Sequence, residues 1–287
     1  MRLKETKEKP MNILFSIDER FVEPMLTTLY SIRINNPQPH FDIFVLQKQP
    51  LAQNQRISQW CEAYQMTYHP ILIDAEAFEH APVLKHWNET IYYRLLAHDY
   101  LPHHLERVLY LDADILCINA LDSLYDLEMG ANYYAGASHG RLINETREKF
   151  NRLRLQNPQL EEYINTGVLL INLEACRQNV SDKVIFDYIE ANRRLLLLPD
   201  QDVLNGLYGA HIHLIPDEIY NYDVRYPKVY ELFSEHPMTA QRVMQETVFL
   251  HYCGKDKPWD AKTNNDFNLL YLHYQAKREQ QQKLWVD

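Results

Sequence analysis

Short apolar runs alternate along this chain with longer stretches of helical spacing, and few folds accommodate that alternation. Residues 12–16 read as a buried strand, Glu23-Pro24 opens a helix with Met25, Leu29 and Ile32 on one face, and Asn35-Asn36-Pro37 ends it. A second strand at 41–46 is followed by a polar helical stretch at 52–64 and a third strand at 67–73. The next predicted helix starts at an Asn88 cap, runs through Ile91, Tyr92, Leu95 and Leu96, and stops at Pro102, ahead of the strand 108–111. Such a pattern predicts an α/β fold, in which ligands sit beyond the C-terminal ends of the sheet strands. Asp112-Ala113-Asp114 falls at that edge.

Further strands are predicted at 132–136, 167–171 and 247–250, the last delivering His251. Helices are predicted at 183–194 and 202–208, and Phe267, Leu270, Tyr271 and Tyr274 give the one-face spacing of a terminal helix. The polar stretch 141–162 reads as a lid or an acceptor loop. With no internal repeat or linker, the expected organisation is one domain over 1–262, its first ten residues disordered, and a C-terminal helical segment over 263–287.

Composition narrows the chemistry. Only seven of 287 residues are glycine, and their positions form neither G-x-x-x-x-G-K-[ST] nor G-x-G-x-x-G. A phosphate must therefore be held by a cation, a metal ion or a helix N-terminus rather than a glycine-rich cradle. The 29 Lys and Arg against 39 Asp and Glu leave a net charge of −10, which excludes a general nucleic-acid binder. The four widely spaced cysteines suggest neither a zinc knuckle nor a disulfide framework, and fit a reducing cytoplasm. No segment has the length of a signal-peptide core or a membrane span, so membrane contact is expected to be peripheral at most, at the inner face.

Asp112 and Asp114 are two apart, so in an extended segment both carboxylates project the same way and can share one divalent ion. A lone D-x-D equally solvates a strand end. Five blocks in order change that weighting: Tyr93-Arg94-Leu95, RVLYLDADIL, YINTGVLLINL, LPDQDVLNGLYG and HYCGKDKPW. Over about residues 12 to 260 this set resembles glycosyltransferase family 8, in particular the bacterial branch with lipopolysaccharide galactosyltransferases and general stress protein A-like enzymes.

The resemblance implies a GT-A fold, a mixed, mostly parallel sheet flanked by helices, as the catalytic domain. It also implies a UDP-sugar donor and a divalent ion, Mn²⁺ or else Mg²⁺. By the resemblance Asp112, Asp114 and His251 are metal ligands; a nitrogen beside two carboxylates favours Mn²⁺. Asp112, Asp114, Arg94, Gly254 and Lys257 match donor-binding positions, and Asp18 matches the acidic residue set against uracil, although Glu19, Arg20 and Phe21 depart from the usual following residues. Asn165, Asp200 and Gln201 match residues around the transferred sugar, while Asp200 or Asp202 could instead cap a helix.

The function the resemblance implies is retaining transfer of glucose or galactose from UDP-glucose or UDP-galactose to a hydroxyl on a glycan, glycolipid or glycoprotein. Two other readings stay open: a catalytically silent relative that binds a glycan or protein partner, and a nucleotide-sugar hydrolase. Neither the oligomeric state nor a nucleophile is legible.

Overall fold

In a computed structural model the described residues are 9–74, 89–140, 145–234, 236–260 and 266–283. Strands β1 (Met11–Ser16), β2 (Phe41–Gln47), β3 (Met66–Leu72), β4 (Arg107–Leu111), β6 (Tyr134–Ser138), β7 (Ile164–Asn172) and β8 (Ile212–Ile215) form one sheet, and β5 (Ile115–Cys117), β9 (Tyr222–Asp223) and β10 (Phe249–His251) form a smaller one. The large sheet has the order β3-β2-β1-β4-β7-β6-β8, and β7 alone runs against the others. This is the α/β architecture expected, with most of the predicted strands within two residues of their places.

The sheet is buried on both faces, as parallel sheets are. Side-chain alternation divides each strand between two cores. Ile13, Phe15, Leu109 and Leu111 pack with Met25 and Leu29 of the helix Val22–Asn35, whereas Leu14, Val108 and Tyr110 pack with Ile185, Ile189 and Val203 from the opposite layer. The helix Asp266–Lys283 lies along Val22–Asn35. Arg278 Nη2 reaches Glu23 Oε2 at 2.7 Å, Asn35 Nδ2 donates to Tyr274 Oη at 3.0 Å, and Phe267 and Tyr271 share a cluster with Leu116, Tyr222 and Tyr252.

One element departs from expectation. The Asn88 cap, the start at residues 1–8 and the 262/263 boundary lie outside the described residues, but Glu89–Leu96 winds as a 3₁₀ helix and only Ala97–Tyr100 is α-helical. At three residues per turn, positions i and i+3 eclipse. Tyr92 and Leu95 form one buried ridge and Tyr93 and Leu96 another, leaving Arg94 on the third side, aimed at the sheet edge. Within the stretch expected as a lid or acceptor loop, Glu145–Arg154 forms a helix.

Candidate active site

The site grows from the reversed strand. Because β7 runs antiparallel, its first residues, Asn165 to Gly167, arrive at the edge where β4 ends, and Asp112 N donates to Gly167 O at 2.8 Å. The chain then passes through Asp114 into β5, which pairs with β10 so that Ile115 faces His251. Three ligand atoms, one each from Asp112, Asp114 and His251, lie within 4.8 Å of one another. Gly167 makes room for them. A Cβ there would sit 2.3 Å from His251 Cε1 and 3.0 Å from Asp112 Oδ2.

Each carboxylate divides its oxygens between a cation and the shared centre. Asp112 Oδ1 accepts from Tyr110 Oη at 2.7 Å and lies 3.0 Å from Arg94 Nη1, leaving Oδ2 4.0 Å from His251 Nε2. Asp114 Oδ2 is bonded by Lys257 Nζ, leaving Oδ1 3.4 Å from the same nitrogen. Burial works against an ionised Asp114, but His251 and Lys257 outweigh it and hold its pKa well below the usual carboxylate range. Burial likewise disfavours the His251 cation, yet Cys253 and Asp114 raise its pKa well above the ordinary value. A cation entering among these ligands would displace a proton from Nε2.

The side of the imidazole that faces the carboxylates is fixed by a relay anchored in the backbone. Gly167 N–H donates to Asn165 Oδ1 at 2.9 Å, so that oxygen is an acceptor, and Asn221 Nδ2 donates to it at 3.0 Å. Asn221 Oδ1 must then accept from His251 Nδ1, 2.8 Å away. With its proton held on Nδ1, the neutral imidazole presents the Nε2 lone pair to the two aspartates. Asn221 and Gly167 were not singled out from sequence; each acts through a partner far along the chain.

Arg94 also bridges to Asp200. Its Nη1 donates to Thr166 O at 3.1 Å, its Nε lies 3.4 Å from Asp200 Oδ2, and its guanidinium covers the Tyr110 ring at 4.4 Å. Thus it pairs with both Asp112 and Asp200. Asp200 opens the helix Pro199–Tyr208, accepts from Thr166 Oγ1 at 3.0 Å, and has its pKa raised by burial and by Asp112, against Arg94. Asn165 Nδ2 reaches Gln201 Oε1 at 3.3 Å. Arg94, Asp112, Asp114, Asn165, Asp200, Gln201, His251 and Lys257 therefore form one connected group.

Asp18 and Gly254 stand apart from it. Asp18, just beyond β1 on the same sheet edge, caps the turn Glu19–Phe21 and pairs with Arg20 at 2.7 Å, which lowers its pKa. Gly254, at φ +91°, turns the chain after β10 toward Lys257, a conformation that favours glycine. Phe21 meets Trp259 edge to face at 6.4 Å, joining these two loops.

Behind His251 lies a second buried group, His139, Asp223 and Cys253. Asp223 is paired with Arg225 at 2.6 Å, and His139 Nε2 donates to Asn221 O at 2.8 Å. Burial lowers the His139 pKa to about 4, despite Asp223. Folding thus favours its neutral form: the stability it contributes is complete above the unfolded value near 6.5 and is lost as pH falls from there toward 4. His139→Gln is expected to remove about 2 kcal/mol of the loss between pH 7 and 5, read as a flatter dependence of melting temperature on pH.

Residues 12–263 match the family profile described as glycosyl transferase family 8. The chain belongs to that family. This glycosyltransferase is 32% identical over 275 residues to lipopolysaccharide 1,2-glucosyltransferase of Escherichia coli, covering 91% of this chain and 77% of that protein. It is 31% identical over 258 residues to lipopolysaccharide 1,3-galactosyltransferase of Salmonella typhimurium, covering 87% and 73%, and 28% identical over 213 residues to general stress protein A of Bacillus subtilis, covering 71% of each. Among solved structures, the galactosyltransferase LgtC bound to donor and acceptor sugar analogues superposes with a TM-score of 0.78 at 22% identity, covering 93% of this chain and 96% of that one. The glycosyltransferase thus has the GT-A fold. None of its helices among the described residues is long and apolar enough to cross a membrane.

Proposed function

We propose that the enzyme is a metal-dependent retaining hexosyltransferase that moves glucose or galactose from a UDP-sugar to a hydroxyl of a lipopolysaccharide-type glycolipid. The observation that carries this is the three-ligand centre of Asp112, Asp114 and His251, with Nε2 directed into it by the Asn165–Asn221 relay. Two hard oxygens and one imidazole nitrogen suit Mn²⁺, which would neutralise charge on the diphosphate as UDP departs. The donor and acceptor classes follow from the glucosyl- and galactosyltransferases that the chain is similar to.

The chain's own residues divide the remaining work. Lys257, beside Asp114, supplies positive charge to the leaving group, and Asp18 accepts the uracil N3 hydrogen. Arg94 and Tyr110 hold Asp112 in one orientation. Asp200 and Gln201, tied to β7 through Thr166 and Asn165, meet the transferred sugar, where Asp200 stabilises or attacks the anomeric carbon. A shell residue that orients a ligand is commonly worth 10- to 100-fold in metal affinity. Asn221→Ala is accordingly expected to weaken Mn²⁺ binding by roughly 10- to 100-fold at unchanged fold, measured by metal titration.

Incubation with UDP-glucose or UDP-galactose and a core oligosaccharide tests the reading. The expected outcome is UDP release that needs both metal and acceptor, with the donor's anomeric configuration kept in the product. Transfer of the sugar to water alone, with acceptor present, would instead make the protein a nucleotide-sugar hydrolase.

A further inference from the structure

Two segments reverse the acidic character of the chain. KFNRLR at 149–154 and RRLLLL at 193–198 contain five cations and no carboxylate, in a protein of net charge −10. Five of their six large apolar side chains face outward, Leu196 being buried: Phe150 is 54% exposed, Leu153 80%, Leu195 39%, Leu197 61% and Leu198 42%. Phe150 and Leu153, three apart, share one side of the helix Glu145–Arg154. Arg154 joins the segments, its Nη1 donating to Leu195 O at 2.7 Å. Single exposed leucines are ordinary, whereas a group of five marks a contact surface.

This surface is rigidly tied to the catalytic edge. Leu197 N and Leu198 N both donate to Asp202 Oδ2, at 2.5 and 3.0 Å, and Arg154 pairs with the same carboxylate. Asp202 lies on the helix that carries Asp200 and Gln201. Leucines flanked by Arg152, Arg193 and Arg194 match the chemistry of a bilayer interface, where apolar side chains enter the headgroup boundary and cations meet anionic headgroups. Arg193 also lies 3.9 Å from Glu190, an exposed and therefore weak pair.

We propose that this surface docks the enzyme on an anionic lipid bilayer, bringing the Asp200 edge to an acceptor sugar carried by an embedded lipid. The lipid-linked acceptor rests on the proposed function; the docking does not. Elsewhere the net-negative chain is repelled by such a membrane, so the patch also sets the orientation.

Flotation with phosphatidylcholine vesicles, with and without phosphatidylglycerol, tests it on the full chain. Wild type is expected to float with the anionic vesicles and to bind neutral ones at least about 10-fold more weakly. The variant Leu153→Ser, Leu197→Ser is expected to lose at least about 10-fold, and Arg193→Glu, Arg194→Glu at least about 20-fold, since each cation near an anionic surface contributes roughly fivefold. Leu269→Ser, an exposed leucine on the C-terminal helix, should bind as wild type does. Melting curves establish that each variant is folded. Absence of wild-type binding to anionic vesicles, or undiminished binding by both patch variants, would overturn the proposal. So would a dimer lost in the leucine variant without any vesicle binding, which would assign the surface to a second copy. Metal-dependent UDP binding, measured on the same preparations, decides the donor reading separately, so either inference can fail alone.

Discussion

Asp112→Asn and Asp114→Asn should each cut sugar transfer by on the order of 10³-fold while leaving a folded protein. The size follows from what one carboxylate does here. Each presents an oxygen to the shared centre and binds a cation with the other, Arg94 for Asp112 and Lys257 for Asp114. An amide can still accept from Tyr110 or Lys257, so local hydrogen bonding survives, but it is a much poorer partner for a divalent cation. Relief of repulsion between Asp112 and Asp200 offsets part of the ion pairing lost in Asp112→Asn, so its melting temperature should move by only a few degrees. Asp114→Asn takes the counter-charge from His251 and Lys257 and should lower the melting temperature further. Near-normal turnover in both variants would remove the metal centre from the account.

The second large effect separates two aspartates that sequence alone offered as alternative helix caps, with Asp200 also placed at the sugar. Asp202 is fully buried and accepts from Arg154 Nη1 and Nη2 at 2.7 Å each, from Tyr163 Oη at 2.6 Å, and from the backbone of Leu197 and Leu198. Asp202→Asn leaves the Arg154 guanidinium, itself 7% exposed, without its counter-charge. The expected cost is about 3–5 kcal/mol, or roughly 10 °C in melting temperature. Asp200→Asn should do the opposite. Burial already raises the Asp200 pKa, so a neutral amide is tolerated, and the loss, at least about 100-fold, falls on turnover. Thermal melting and turnover assays on the two variants give a crossed pattern if Asp202 holds the helix and Asp200 meets the sugar.

Much of this was legible because it is local. Six of the seven strands of the large sheet are legible as short extended runs, the four-residue edge strand β8 being missed, and Asp112, Asp114, His251 and Lys257 stand in short blocks whose order survives without tertiary knowledge. What was hidden depends on direction or distance. Nothing in YINTGVLLINL says that β7 runs backwards, yet only that reversal carries Asn165, Thr166 and Gly167 to the catalytic edge. Strands of two and three residues, β9 and β5, are too short to show a period. Asn221 looks like a polar residue in a turn until His251, 30 positions later, donates its Nδ1 hydrogen to the Asn221 Oδ1. Arg94 was found by its block, but its reach to Asp200 required the 3₁₀ winding of Glu89–Leu96.

The most direct test of the metal-and-donor centre is calorimetric titration of UDP into the full chain, with Mn²⁺ and again with excess chelator, because it needs no knowledge of sugar or acceptor. The expected result is tight binding with Mn²⁺, binding at least about 100-fold weaker with chelator, and loss of the Mn²⁺ effect in Asp114→Asn. Equal affinity in both conditions, or no UDP binding in either, would contradict the reading of Asp112, Asp114 and His251 as the centre that holds the donor.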